Sequence, residues 1–257
     1  MSTEIELRRI GPLAELVLVP PDGRPATLDH DTLDALDRQL AAIEQAGDAV
    51  RVVVVRSVSP KYFCVGADLN ALQHLNTETI QAWIEHGHQV FDRLEGLPQP
   101  VIARVEGYAL GGGLELALAA DIIVASEQAR LGQTEARLGF ITGWGGAWRL
   151  PRRVGPARAR ELFFTGRIVP AAEAATFGLV DCCLAPEALD AHCAKMVQDI
   201  AASSPTAMRE FKRLVAGAPT LTHEAKTAAE VGASIACVHS ADTQQRVRDF
   251  LKSRKKP

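Results

Sequence analysis

Residues 101–126 constrain the fold more than any other stretch. VIARV at 101–105 is followed by Gly107-Tyr-Ala-Leu-Gly111-Gly112-Gly113, then LELALAA, then Asp121-Ile-Ile-Val-Ala-Ser. β-branched residues suit strands, whereas Leu and Ala favour helices. The segment therefore reads as strand, glycine turn, short helix, strand, and it points to a mixed α/β fold. Three glycines opening a helix let another group approach the backbone and leave first-turn N–H groups pointing outward. Such a terminus attracts partial negative charge, although a glycine triplet also serves as a plain flexible turn.

The flanking pattern agrees. Residues 5–10 and 14–20 read as paired strands closed by a turn at Gly11-Pro12, and VRVVVVRSV at 50–58 as a buried strand. Asp29 is a candidate N-cap for a helix whose Leu33, Leu36, Leu40 and Ile43 share one face. Residues 59–70 read as a loop, and 78–95 as a helix ended by Gly96 and Pro98. Beyond Pro156 the chain reads as mostly helical, with starts at Pro156, Pro170, Pro186 and Pro205. A soft change near residue 200 divides a core, 1–200, from a helical C-terminal region, 201–257.

Composition excludes several classes. With 47% apolar and 23% charged residues the 257-residue chain is of globular type. A chain of this size buries roughly 70–75% of its unfolded surface, enough for a core without disulfides or structural metal. A net charge of −3 gives no global attraction to nucleic acid or an anionic membrane. Cys64, Cys182, Cys183, Cys193 and Cys237 are odd in number and form no CxxC pair, which suits a reducing compartment. Cys182 and Cys183 adjoin an apolar run and read as core residues. The N-terminus lacks the apolar core of a signal peptide, and no apolar run approaches the roughly 18 residues of a membrane span. The expectation is a cytoplasmic protein. No GxGxxG, GxxxxGK[ST], HExxH or GxSxG occurs. His86 and His88, two residues apart, diverge around their helix and read as solvated rather than metal-binding.

Two carboxylates stand out. Glu115 lies within LELALAA, where an unpaired buried carboxylate costs several kcal/mol, so it is exposed, paired or functional. Glu135 lies on a short turn or helix between the strand after Asp121 and the segment Gly143-Trp-Gly-Gly. If both reach one pocket and burial raises one pKa, the pair can withdraw one proton and deliver another. The alternative is a pair of structural ion pairs, Glu135 for instance with Arg137 or Arg149.

Taken together, Lys61-Tyr-Phe-Cys-Val-Gly-Ala-Asp-Leu69, the stretch 100–116, Gly132-Gln-Thr-Glu135, Gly145-Gly-Ala-Trp-Arg-Leu-Pro151, Phe164-Thr-Gly166 and 174–180 resemble the crotonase family of enoyl-CoA hydratases and isomerases over nearly the full length. The resemblance implies a crotonase-like ββα spiral core with a helical C-terminal region used for trimer assembly, as a homotrimer or a dimer of trimers. It implies an acyl-CoA substrate, no metal, no nucleic-acid or membrane partner, and no cofactor, coenzyme A being part of the substrate. Matched by position, the thioester oxygen would be held by the N–H groups of Ala67 and Gly112, a donor pair suited to an enolate oxyanion. Lys61, Val65, Ala67, Asp68 and Leu69 would contact the CoA. Relatives with hydratase activity resemble this chain in keeping both acidic positions, so Glu115 would activate water and Glu135 would protonate the α-carbon. Other enolate chemistry, such as Δ3-Δ2 isomerisation, and a non-enzymatic acyl-CoA-binding or RNA-binding role are the alternatives.

The chain departs from the family pattern at Thr134 and Thr142, each replacing a proline, and at Trp144 and Trp148, two large side chains expected near the acyl pocket. The run Lys252-Ser-Arg-Lys-Lys-Pro257 is a local basic patch, read as a solvated end or as an approach to CoA phosphates through Lys255 and Lys256.

Overall fold

The structure is a computed structural model that describes residues 2–254. Lys255 and Lys256 lie outside the described residues. The chain opens with strands β1 (Glu4–Ile10) and β2 (Leu13–Val19), an antiparallel hairpin turning at Gly11 and Pro12. Helix α1 (His30–Ala46) starts at Asp29, whose carboxylate accepts the Thr32 amide and caps the helix as its sequence indicates. The long β-branched run forms β3 (Val52–Ser57).

From β3 onward the chain repeats one unit: a strand in a first sheet, a short strand in a second, then a helix. The first unit is β3, β4 (Tyr62–Cys64), α2 (Leu69–Leu72) and α3 (Ile80–Gly96). The second is β5 (Val101–Val105), β6 (Tyr108–Leu110) and α4 (Gly112–Leu118). The third is β7 (Ile122–Ser126), β8 (Arg130–Gly132), a 3-10 turn at Glu135–Leu138 and α5 (Gly146–Thr165). β9 (Val169–Pro170), α6 (Ala171–Thr176), β10 (Cys182–Leu184), α7 (Pro186–Ala202), α8 (Pro205–Gly217), α9 (His223–His239) and α10 (Ala241–Ser253) complete the chain.

The six-stranded sheet runs β1-β2-β3-β5-β7-β10, parallel from β2 onward, and the four-stranded sheet runs β4-β6-β8-β9. This alternation is the ββα spiral. Residue 200 falls in the last turn of α7.

Two strands depart from the sequence expectation. Residues 59–70 contain β4 and the start of α2, and the glycine turn contains β6. Each short strand spans three residues and pairs only across the second sheet, too short for a period to register. The helix starts at Pro186 and Pro205 appear as N1 prolines, Pro170 caps α6, and Pro156 follows Gly155, where α5 kinks at φ +75°.

The main core lies between the sheets and helices α1, α3 and α4, with Leu16, Leu36, Phe63, Phe91, Val101 and Leu114 buried in it.

Candidate active site

The glycine triplet places α4 against the loop after β4. A Cβ on Gly113 would lie 2.0 Å from the Cys64 carbonyl oxygen, so only glycine lets the helix approach that strand. The loop turns at Gly66, whose φ of +94° favours glycine and whose hypothetical Cβ would stand 2.9 Å from the Gly112 nitrogen. The loop is fastened from the other side, because Leu28 donates its amide to the Gly66 carbonyl and accepts that of Asp68. Ala67, between them, and Gly112, at the start of α4, therefore stand on facing walls of one cleft. Among the described residues neither amide has an acceptor.

Glu115 projects from the first turn of α4 and is 1% exposed. Its Oε1 accepts the amides of Trp144 at 2.8 Å and Gly146 at 2.7 Å, both from the turn that begins α5. Burial, reinforced by the negative charge of Glu135, pushes its carboxyl up to about 7 despite those two donors. A side chain at Gly146 would crowd this contact, since a Cβ there would lie 3.1 Å from both Glu115 Oε1 and Gln133 Oε1.

Glu135 enters the same cleft from the 3-10 turn. Gln133, fully buried, donates Nε2 to Glu135 Oε1 at 2.7 Å, while Glu135 Oε2 is buried without a partner. Burial pushes this carboxyl above the ordinary range as well. The two acidic residues thus converge on one cavity of about 100 Å³, and the ion-pair alternative fails. Arg149, 2% exposed, binds Asp92 and Glu95 and donates to the Trp144 carbonyl, so it supports the turn that holds Glu115. Arg137 donates to the Thr165 carbonyl.

The other expected contact residues separate into two groups. Val65, Ala67 and Leu69 line the cleft, and Leu69 is 62% exposed at its edge. Asp68 instead caps α2, accepting the amides of Asn70 and Ala71, and holds the Thr27 hydroxyl. The Lys61 side chain is exposed over the Tyr62 ring, outside the cleft lining, while its carbonyl accepts the Tyr108 amide.

Trp144 is in place under the cleft, packed against Trp83 and Phe91 with Nε1 3.4 Å from the Trp83 carbonyl. Trp148 is not: it lies in the first turn of α5, is 42% exposed and stacks on His88 of α3, outside the cleft lining. The histidines are likewise engaged rather than simply solvated. His86 meets Asp34 and His30 on α1, while His88 meets α5, since α3 is flanked on both sides.

Apolar cleft residues that sequence reading did not single out are Ile80, Trp83 and Ile84 on α3 and Leu138, Phe140 and Ile141 after Glu135. The signal was present in Phe140 and Ile141, two large apolar side chains in a loop between Gly139 and Gly143. Among the described residues no group of three His, Cys, Asp or Glu is placed to hold a metal ion, and no helix is long and apolar enough to cross a membrane.

Comparison with known proteins is consistent with this geometry. The family model described as enoyl-CoA hydratase/isomerase matches residues 23–257. The chain is 34% identical to the short-chain-enoyl-CoA hydratase of Clostridium acetobutylicum over 97% of this chain and 95% of that protein. It is 33% identical to the crotonyl-CoA hydratase of Syntrophomonas wolfei, over 95% of this chain and 93% of that one. The crystal structure of an enoyl-CoA hydratase from Bacillus anthracis superposes with a TM-score of 0.92 at 32% identity, covering 99% of this chain and 98% of that one. With the ββα spiral and both carboxylates in its cleft, the chain belongs to the enoyl-CoA hydratase/isomerase family, the crotonases.

Proposed function

We propose that the protein is an enoyl-CoA hydratase that adds water across the double bond of a 2-trans-enoyl-CoA to give a 3-hydroxyacyl-CoA. The observation that carries this reading is the convergence of Glu115 and Glu135 on a cleft whose facing walls hold two amides without acceptors. The thioester oxygen lies between the N–H groups of Ala67 and Gly112. As the β-carbon is attacked, charge moves onto that oxygen, and each preorganised donor is worth about 3–4 kcal/mol in the transition state. Glu115, ionised and held by the Trp144 and Gly146 amides, positions the water and takes one of its protons while the water oxygen bonds to the β-carbon. Glu135 delivers a proton to the α-carbon, the enolate collapses to the thioester, and the proton on Glu115 returns to Glu135 before the next turnover. Water is consumed and no other reactant is needed.

In the same reading, Lys61, Val65, Asp68 and Leu69 lie along the CoA, which is substrate rather than cofactor. The region 201–257 assembles a homotrimer or a dimer of trimers. Supporting this, Phe211, Val215, Val231, Ile235 and Val238 on α8 and α9 are more than half exposed. The protein works in the cytoplasm, in fatty acid metabolism.

The test is loss of the conjugated-thioester absorbance with crotonyl-CoA and with longer, branched and aromatic enoyl-CoAs. Hydration by the wild type that is lost in both Glu115→Gln and Glu135→Gln, with folding intact, is the expected result. Binding of these esters without hydration would turn the reading to other enolate chemistry.

A further inference from the structure

A second chamber, of about 250 Å³, backs onto the cleft. Ile141 lines both, and Gly146 lines the chamber while its amide holds Glu115. The chamber walls are apolar, formed by side chains such as Leu150, Ala159 and Phe163. Three polar side chains interrupt them: Thr142, Arg160 and Gln133. Thr142 Oγ1 and Gln133 Oε1 are buried without hydrogen-bond partners, and Gln133 is fully buried. Buried polar atoms are nearly always satisfied, so the chamber is built for a polar occupant.

Arg160 identifies its charge. Helix α5 carries five arginines, and four are paired: Arg149 with Asp92 and Glu95, Arg152 with Glu95, Arg153 with Asp181, and Arg158 with Glu161. Among the described residues Arg160 has neither a carboxylate partner nor a hydrogen bond, and it is the one whose side chain stands at the chamber. A guanidinium matches a carboxylate through two parallel hydrogen bonds, and a threonine hydroxyl can donate a third. Gln133 Oε1 is an acceptor only, so it cannot bind a carboxylate oxygen, and its Nε2 is already committed to Glu135.

Resting on the hydratase reading above, we propose that this chamber receives the far end of the acyl chain. It selects enoyl-CoA esters whose acyl chain ends in a carboxylate, held by Arg160 and Thr142. The chain passes the two glutamates beside Ile141, so the double bond reacts in the cleft while the terminal charge sits in the chamber.

The test compares 2-hexenoyl-CoA with 2-hexenedioyl-CoA, which differ at the chain end by methyl against carboxylate. The quantity read is the ratio of their kcat/KM values for hydration. The wild type is expected to favour the diacid ester by about tenfold or more, Arg160→Met to erase that preference, and Thr142→Val to reduce it a few-fold. A wild-type ratio near one, or a ratio unchanged in Arg160→Met, overturns the proposal. An Arg160→Met protein that changes oligomeric state and loses activity on both esters alike overturns it too, because the arginine then serves assembly. If neither ester nor crotonyl-CoA is hydrated, the hydratase reading fails separately. Calorimetric affinities for the same two esters then decide the chamber: tighter binding of the diacid that disappears in Arg160→Met sustains it, and equal affinities sink it.

Discussion

The Gly146 amide meets Glu115 Oε1 at 2.7 Å, tying the first turn of α5 to a carboxylate carried by α4. That bond and its companion from Trp144 fix the orientation of a group that burial would otherwise hold protonated. With the carboxyl pushed up to about 7, its ionised form is lost as the pH falls through neutrality. The reaction needs Glu115 ionised, so kcat/KM for crotonyl-CoA is expected to fall below about pH 7 with a limiting slope of one. Glu115→Gln should lower kcat by roughly a hundredfold or more and abolish that limb. A pH-rate profile of the two proteins checks both.

The same shift bears on stability. A carboxyl whose pKa is higher folded than unfolded leaves the native state holding the extra proton between the two values, so stability declines as pH rises through that window. For Glu115 the window runs from 4.5 to about 7, which corresponds to about 3 kcal/mol lost on going from acid to alkaline pH. Denaturant unfolding at about pH 5 and about pH 8 should show this loss in the wild type and a smaller one in Glu115→Gln. Equal pH dependence in the two proteins would remove Glu115 as its source.

Glu135 depends on Gln133 in a way that pH also reads. The Gln133 Nε2–H bond favours the ionised form of Glu135 and opposes the rise that burial causes. Gln133→Leu should therefore push the Glu135 carboxyl further up. Glu135 acts as the acid, so the alkaline limb of kcat should move to higher pH. An unmoved limb with a raised KM would mark Gln133 as a packing residue.

Much of this arrangement is legible in the residues, and the parts that are not share a physical cause. Asp29, the run at β3, the glycine triplet and Glu115 announce themselves through capping chemistry, β-branching and a carboxylate in apolar surroundings, whereas Glu135 stands out only as a second carboxylate on a neighbouring element and through the family resemblance. The short strands β4 and β6 do not, because their pairing is decided by segments far along the chain. The same holds for Trp148, whose place is set by the packing of α5 beside His88 of α3 rather than by its own chemistry. Arg149 is the clearest case. Its charge suggests a partner for Glu135, whereas the fold brings α3 beside it and gives it Asp92 and Glu95.

The fit between Gly112 and Trp144 yields a sharper test of the cleft. A Cβ on Gly112 would lie 2.7 Å from Trp144 Cζ3, inside any real contact, so Gly112→Ala must shift either the indole or the first turn of α4. Moving that turn misdirects the Gly112 amide, and kcat is expected to fall by about 10- to 100-fold. Trp144→Phe removes the clashing ring edge, so the double variant Gly112→Ala/Trp144→Phe should recover part of the loss. No recovery would show that the defect lies elsewhere than in this contact.

Lys212 offers a test of how the C-terminal helices are held to the core. Its Nζ lies 2.7 Å from Asp121 Oδ2 and 3.2 Å from the Gln99 carbonyl, linking α8 to the start of β7. Asp121 Oδ2 also accepts the Val101 amide at 2.7 Å, so the carboxylate joins β5, β7 and α8 at one point. Both partners are partly shielded from solvent, which lifts the pair above an ordinary surface salt bridge of about 0.2–1 kcal/mol. A double-mutant cycle with Lys212→Met and Asp121→Asn, read by chemical unfolding, should give a coupling of about 1 kcal/mol or more. Lys212→Met alone should leave the Val101 cap intact and cost less than Asp121→Asn, which weakens both links at once. Costs that simply add would show that α8 is held by packing and not by this charge pair.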